Sequence, residues 1–214
     1  MHEVFAIADA VQPRYRALVL MAGFLGLRWG ELIGLRRRDI DLDRRAVRVR
    51  QAVAELTNGQ REIKAPKSEA GKRTVSIPEA ILPDLRAHLE HFAEPGSEGR
   101  VFIGGKGATP RRNHFNRLWH QACERAGISG LRFHDLRHTG NTLAASTGAS
   151  TCELMARMGH STARAALIYQ HASAERDRLI ADSVSQLVSQ ARKAAAAPRE
   201  EVSAQDWHVD GTGG

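Results

Sequence analysis

Apolar positions recur at helical spacing over residues 3–12, where Val4, Phe5, Ala8 and Val11 share one face. Pro13 suits the first turn of a second helix, which runs through ALVLMAGFLGL and is apolar nearly all round, as a buried helix would be. A third helix begins near Trp29 and carries Glu31, Leu32 and Leu35, and DIDLDRR closes this helical start. The period then changes. AVRVRQAVA (46–54) alternates apolar and polar residues, as a half-buried strand does, and Asn58-Gly59 is a hairpin signal. REIKAP and KRTVSIP supply two more short strands around the loop KSEAGK. Helical spacing returns at 78–92, opened by Pro78, and again at about 111–126, 134–147, 151–158, 162–170 and 174–192. Gly127, Gly148 and Gly159 stand where C-terminal caps belong. The pattern predicts an α+β fold: a mainly helical domain with a small antiparallel three-stranded sheet. It predicts a domain over 1–192 and a flexible tail over 193–214, AAAAPREEVSAQDWHVDGTGG forming most of that tail.

Composition narrows the class. The 214 residues are enough for a real core, and 42% hydrophobic residues is ordinary for a globular chain. No apolar run has the length of a membrane span, and MHEVFAIADA lacks the plan of a signal peptide. Cys123 and Cys152 are the only cysteines and have no metal-type spacing, which argues against a disulfide scaffold and suits a reducing cytoplasm. The 31 basic against 24 acidic residues leave a formal charge of +7, which puts nucleic acid at the head of the partner list beside the plainer reading of a merely basic enzyme.

The residues that could carry chemistry fall in four segments. GLRWGEL supplies Arg28 at a junction between helices, where a side chain is rigidly held. FHDLRHTG supplies His134 and Arg137, three apart and so on one helix face. MGHSTARAALIYQHA supplies His160 and, nine residues later, Tyr169. APKSEAGKRTVSIP places Lys67 at a turn between strands, with Lys64 and Lys72 as competitors for the same role. Two guanidinium groups offer permanent charge and paired donors to the non-bridging oxygens of a phosphodiester under attack. The histidines are candidates for proton transfer or for hydrogen bonds to that phosphate. A phenol titrates near 10 and needs a base or positive surroundings to act as a nucleophile. The lysine ammonium could protonate a departing 5′ oxygen. Tyr15 has no His-Arg context, and His120, His138 and His171 are read as structural, His138 with the further option of supporting the site.

Taken in order, these four segments resemble the catalytic domain of the tyrosine recombinases, specifically the bacteriophage-type integrases, from about residue 3 to 190. The resemblance implies the fold of that catalytic domain. It implies that Arg28, Arg137, His134 and His160 hold and activate the phosphate, that Lys67 protonates the 5′ leaving oxygen, and that Tyr169 becomes linked to the 3′ phosphate. A partner strand's 5′ hydroxyl would then attack, exchanging strands through a Holliday junction. The bond energy is retained in the ester, so no metal, ATP or other cofactor is implied. The implied partners are double-stranded DNA attachment sites, further copies of the chain in a tetramer on DNA, and accessory DNA-bending proteins, all in a bacterial cytoplasm. Leu179, Ile180, Val184 and Leu187 offer an apolar face that either packs on a neighbouring subunit or within the chain. Two departures concern the tyrosine segment: Met158 replaces the usual Leu before Gly-His, and Ala165 and Ala166 replace threonines. The family's amino-terminal core-binding domain has no counterpart here, so the expectation is an isolated catalytic domain that binds DNA weakly.

Other motifs fail on their chemistry. DIDLD (39–43) begins like a calcium loop, but Arg44 and Arg50 occupy the positions that need Gly and Glu. In GGKGAT, Gly107 follows Lys106 where a phosphate loop needs Ser or Thr. His134 and His138 have the i, i+4 spacing of zinc hydrolases, but Asp135 replaces the central Glu and no third ligand is evident. A DNA-binding remnant without catalysis is the alternative to the recombinase reading, and a metal-dependent hydrolase is a third.

Overall fold

In the computed structural model, residues 1–56, 59–64, 71–160 and 162–168 are described, with 178, 181, 182, 184–186, 188 and 189. The core forms around α2 (Pro13–Leu25), because that helix has no polar face to turn outwards: Leu18, Val19, Leu20 and Met21 are all fully buried. α1 (His2–Ala10) covers it through Val4, Ile7 and Ala8. Leu25 ends the helix at Gly26, which takes a left-handed conformation, φ 67°. Leu27 and Arg28 then lead into α3 (Trp29–Gly34). The remaining helices are α4 (Leu82–His91), α5 (Arg112–Arg125), α6 (Asp135–Ser146), α7 (Thr151–Met158) and α8 (Ala163–Leu167).

The domain is mainly helical with a small three-stranded antiparallel sheet, as the periodicity predicts, but the strands are shared out differently. β1 (Ile40–Asp41), β2 (Ala46–Val49) and β5 (Arg73–Ser76) form the sheet, in the order β1-β2-β5. β3 (Ala52–Glu55) and β4 (Arg61–Lys64) make a separate two-stranded hairpin. The single strand expected over 46–54 is therefore two, divided at Arg50 and Gln51. The Gln51 side chain donates to the Gly34 carbonyl at 2.7 Å, which fastens the break to the end of α3. β3 then runs so close to α3 that a Cβ on Gly30 would lie 2.6 Å from the Val53 carbonyl oxygen. The segment DIDLDRR, expected only to end the helical start, supplies β1 after a 3-10 turn at Arg37–Asp39. The helix expected over 78–92 starts as a 3-10 turn, Glu79–Ile81, and becomes α-helical at Leu82, with Pro83 in the first turn, where its missing N–H costs nothing.

Five aromatic rings join these elements. Phe115 and Trp119 of α5 pack with Tyr15 of α2, Trp29 of α3 and Phe133, with centroids 4.8–5.6 Å apart at the Trp29, Phe133 and Tyr15 contacts. Trp29 follows Arg28 and Phe133 precedes His134, and these two rings meet edge to face at 5.6 Å. Two site residues are thus each carried by a buried aromatic neighbour. Tyr15 is itself fully buried, and burial pushes its phenol up, as expected of a core tyrosine.

Residues 1–170 form one compact unit and 171–214 a second. The described residues of the second unit are helical, and Val184 and Val188 are exposed. Leu179, Ile180 and Leu187 of the expected apolar face, and the expected tail over 193–214, lie outside the described residues. Among the described residues no helix is long and apolar enough to cross a membrane.

Candidate active site

The C-terminal end of α7 is the point on which the site converges. A helix end leaves carbonyls without partners, and here three consecutive ones are taken by three arginines from distant segments. Arg73 Nε donates to the Arg157 carbonyl at 2.8 Å, Arg137 Nη2 to the Met158 carbonyl at 2.7 Å, and Arg28 Nη2 to the Gly159 carbonyl at 3.3 Å. Gly159 caps the helix in the left-handed region, φ 63°, and directs the chain into His160.

Arg137 is buried, 5% exposed, and projects from the first turn of α6. It also donates through Nη1 to the Gly26 carbonyl, so it ties the end of α2 to the end of α7. That reach depends on close helix packing: a Cβ on Gly140 would lie 2.9 Å from the Gly26 nitrogen and 3.0 Å from the Gly23 carbonyl oxygen. Arg137 Nη2 lies 3.1 Å from His160 Nε2. A guanidinium only donates, so Nε2 accepts and Nδ1 carries the imidazole proton. Nδ1 is buried and has no hydrogen-bond partner among the described residues. Burial, then Arg137, Arg28 and Arg73, push the His160 pKa down to about 4. His160 is therefore a neutral ring with an uncommitted N–H donor beside two guanidinium groups.

Arg28 is the more accessible arginine, its side chain 42% exposed. Its backbone N–H and its Nη1 are held by the two oxygens of Glu31, each at 2.9 Å. Nε and the second hydrogens of both Nη groups make no hydrogen bond among the described residues. Glu31 is buried and also takes both Nη groups of Arg73 at 3.0 Å. Burial alone would raise its pKa, but Arg73 and then Arg28 hold it below the usual carboxylate value. Its ionised state is thus built into the site.

Arg28, His134 and Arg137 line one open cavity of about 790 Å³. The β3–β4 hairpin forms one wall through Ala52, Val53 and Lys64, and α5 another through Arg112, Asn116 and His120. His134 is the residue before α6, exposed, with its ring edge to face against His138 at 5.4 Å. Burial, then His138 and Arg137, lower its pKa. Among the described residues no three His, Cys, Asp or Glu side chains gather as a metal centre would need.

The structure therefore brings together four of the six residues singled out from sequence: Arg28, His134, Arg137 and His160. Lys67 and Tyr169 lie outside the described residues. Of the competing lysines, Lys64 lines the cavity, with Nζ 2.7 Å from Glu62. Sequence reasoning missed Glu31 and Arg73. A signal for each existed. Glu31 stands three residues after the helix-opening Arg28, the spacing at which an acid reaches back to the helix start. Arg73 shares the inward face of β5 with Val75, a charge where the alternation calls for an apolar residue. His120, read as structural, lines the cavity.

Comparison with known proteins bears on the family and the fold. The model of the phage integrase family matches residues 1–176. The prophage phiRv2 integrase of Mycobacterium tuberculosis is 45% identical over 189 residues, covering 87% of this chain and 50% of its own length. The integrase of Mycobacterium phage FRAT1 is 37% identical over 190 residues, 86% of this chain and 56% of its own. The chain thus spans about half the length of these relatives. Among solved structures, the Tn1549 transposon integrase in complex with a circular intermediate DNA shares the fold, with a TM-score of 0.70 at 20% identity over 83% of this chain and 62% of that one. The catalytic domain of bacteriophage HP1 integrase gives 0.51 at 19% identity, over 78% of this chain and 83% of that domain.

Proposed function

The chain belongs to the phage integrase family, and from that premise we propose that it is a catalytic domain that cuts and rejoins DNA at specific sites through a 3′-phosphotyrosine intermediate, in the integration and excision of phage or mobile-element DNA. The observation that carries the proposal is the meeting of Arg28, Arg137 and His160 at the end of α7, beside a cavity that His134 also lines. Arg28 and Arg137 bind the non-bridging oxygens of the scissile phosphate, where charge gathers as the phosphorus is attacked. His160 supports the same group beside Arg137, which it contacts through Nε2, and His134 adds a hydrogen bond or moves a proton. The Tyr169 oxygen attacks phosphorus as its proton passes to His134, the bond to the 5′ oxygen breaks, and Lys67 gives that oxygen its proton. The 5′ hydroxyl of a partner strand then attacks the phosphotyrosine and the phenolate leaves, so phosphoester bonds are conserved without metal or ATP.

The proposed catalytic domain extends to about residue 192. The partner is double-stranded DNA at attachment sites. Four copies assemble on it, and accessory DNA-bending proteins shape the complex in the bacterial cytoplasm, at the nucleoid. The basic balance of +7 and the Arg112, Arg132 and Lys64 side chains around the cavity support a polyanionic substrate. The test is covalent trapping on a nicked duplex bearing a candidate attachment site, in chelator and without ATP. The expected result is a protein–DNA adduct that survives denaturation. DNA binding without any adduct would favour a non-catalytic remnant, and an adduct abolished by chelator would favour a metal-dependent enzyme.

A further inference from the structure

Arg73 is buried behind the phosphate site. Its side chain is 5% exposed, and it does not line the cavity that Arg28, His134 and Arg137 share. It nonetheless makes four polar contacts. Nη1 and Nη2 pair with Oε1 and Oε2 of Glu31, both at 3.0 Å, Nε donates to the Arg157 carbonyl at 2.8 Å, and Nη1 reaches the Gly71 carbonyl at 3.3 Å. Glu31 is thereby placed between two guanidinium groups, one buried and one open to the cavity.

The charges decide what this arrangement does. Glu31 is needed to orient Arg28, since its two oxygens hold the Arg28 backbone N–H and Nη1. A buried carboxylate paired with Arg28 alone would also cancel the charge that Arg28 must offer to a phosphate, because attraction at this separation in a poorly solvated site is strong. With Arg73 present, two positive groups face one negative group, and the surplus positive charge remains on the exposed member. We infer that Arg73 is a positioning residue of the phosphate site: by neutralising Glu31 from behind, it lets Glu31 orient Arg28 without quenching the charge that Arg28 presents to the scissile phosphate. The same guanidinium joins β5, just after the 65–70 segment that contains Lys67, to the end of α7, which leads into His160. The role of Arg73 depends on the proposed role of Arg28 as a phosphate ligand.

The test uses inorganic sulfate as the anion probe, so it needs neither an attachment site nor strand cleavage. Sulfate is titrated into the 214-residue protein while the Arg28 side-chain N–H resonances are followed by NMR. Arg73→Gln is expected to weaken sulfate binding at Arg28 about tenfold, since removing a charge interaction of this kind is worth a decade or so in affinity. Arg73→Lys, which keeps the charge but loses the paired geometry, should recover part of that loss. Glu31→Gln/Arg73→Gln should bind sulfate more tightly than Arg73→Gln by about the same factor, because removing the carboxylate removes the charge that Arg73 neutralises. Charge rescue of this kind is not expected from a residue that only packs. If Arg73→Gln fails to fold, the double variant, which leaves neither charge buried and unpaired, is compared with wild type, and sulfate affinity should agree within about threefold because the net charge around Arg28 is unchanged. Unchanged sulfate affinity in folded Arg73→Gln, or a double variant that binds no more tightly than Arg73→Gln or tenfold more weakly than wild type, would overturn the inference. A protein that passes this test yet forms no adduct with DNA would sink the enzymatic reading and leave the charge relation intact.

Discussion

His160 shows how one hydrogen bond sets a residue's chemistry. Arg137 Nη2 occupies Nε2, so the proton sits on Nδ1 and the ring stays neutral. The predicted titration midpoint in the DNA-free protein is about 4, with the Nδ1–H tautomer above it, as imidazole nitrogen NMR would read directly. Stability follows by linkage. The unfolded chain takes up a proton near the ordinary value of 6.5, while the folded protein resists it down to about 4. The histidine's contribution is therefore whole above 6.5 and is lost progressively as pH falls from 6.5 towards 4. His160→Gln should flatten that part of the stability curve, measured by denaturant unfolding at a series of pH values. His134, whose pKa is also lowered, contributes with the same sign and remains in the variant. An unchanged slope in His160→Gln would show that the ring is not held neutral by its surroundings.

Helix packing places these residues, and α2 against α6 is the critical contact. Gly140 allows α6 to approach Gly23 and Gly26 closely enough for Arg137 to reach the Gly26 carbonyl. Gly140→Ala should destabilise the protein by about 1–3 kcal/mol, the usual cost of overpacking, and reduce activity by moving Arg137. Gly105, whose added Cβ would meet nothing within 4 Å, is the control and should change stability by less than about 0.5 kcal/mol on substitution by Ala. Thermal unfolding of the two variants separates them. The helices were legible in the sequence because their apolar spacing and terminal glycines are local signals: α7 runs over Thr151–Met158 as expected, and Gly127, Gly148 and Gly159 all take positive φ. The division of 46–54 into β2 and β3 was not legible, because alternation continues through Arg50 and Gln51. The break is set by Gln51 bonding to Gly34 and by the approach of β3 to Gly30, both contacts across the chain. The same holds for the site. Arg28, His134, Arg137 and His160 stand in recognisable segments, whereas the spacing of Glu31 and the strand position of Arg73 are weak local signals whose pairing appears only when β5 folds against the start of α3.

At the scale of the whole molecule, segments far apart in sequence converge on one helix end and one basic cavity. Arg28, Arg73 and Arg137 give hydrogen bonds to the three consecutive carbonyls at 157–159, so the proposed phosphate ligands Arg28 and Arg137 are fixed relative to one another before any DNA arrives. Such preorganisation is where most catalytic stabilisation of a charged transition state comes from. A rigid clamp of this kind still needs a nucleophile, and the proposal assigns that role to Tyr169. The most direct measurement is peptide mapping by mass spectrometry of the adduct formed on a nicked duplex with a candidate attachment site, run in parallel with Tyr169→Phe. The expected result is a nucleotide attached to Tyr169 in the wild-type protein and no adduct in the variant. An adduct on any other residue, or one that persists in Tyr169→Phe, would contradict it.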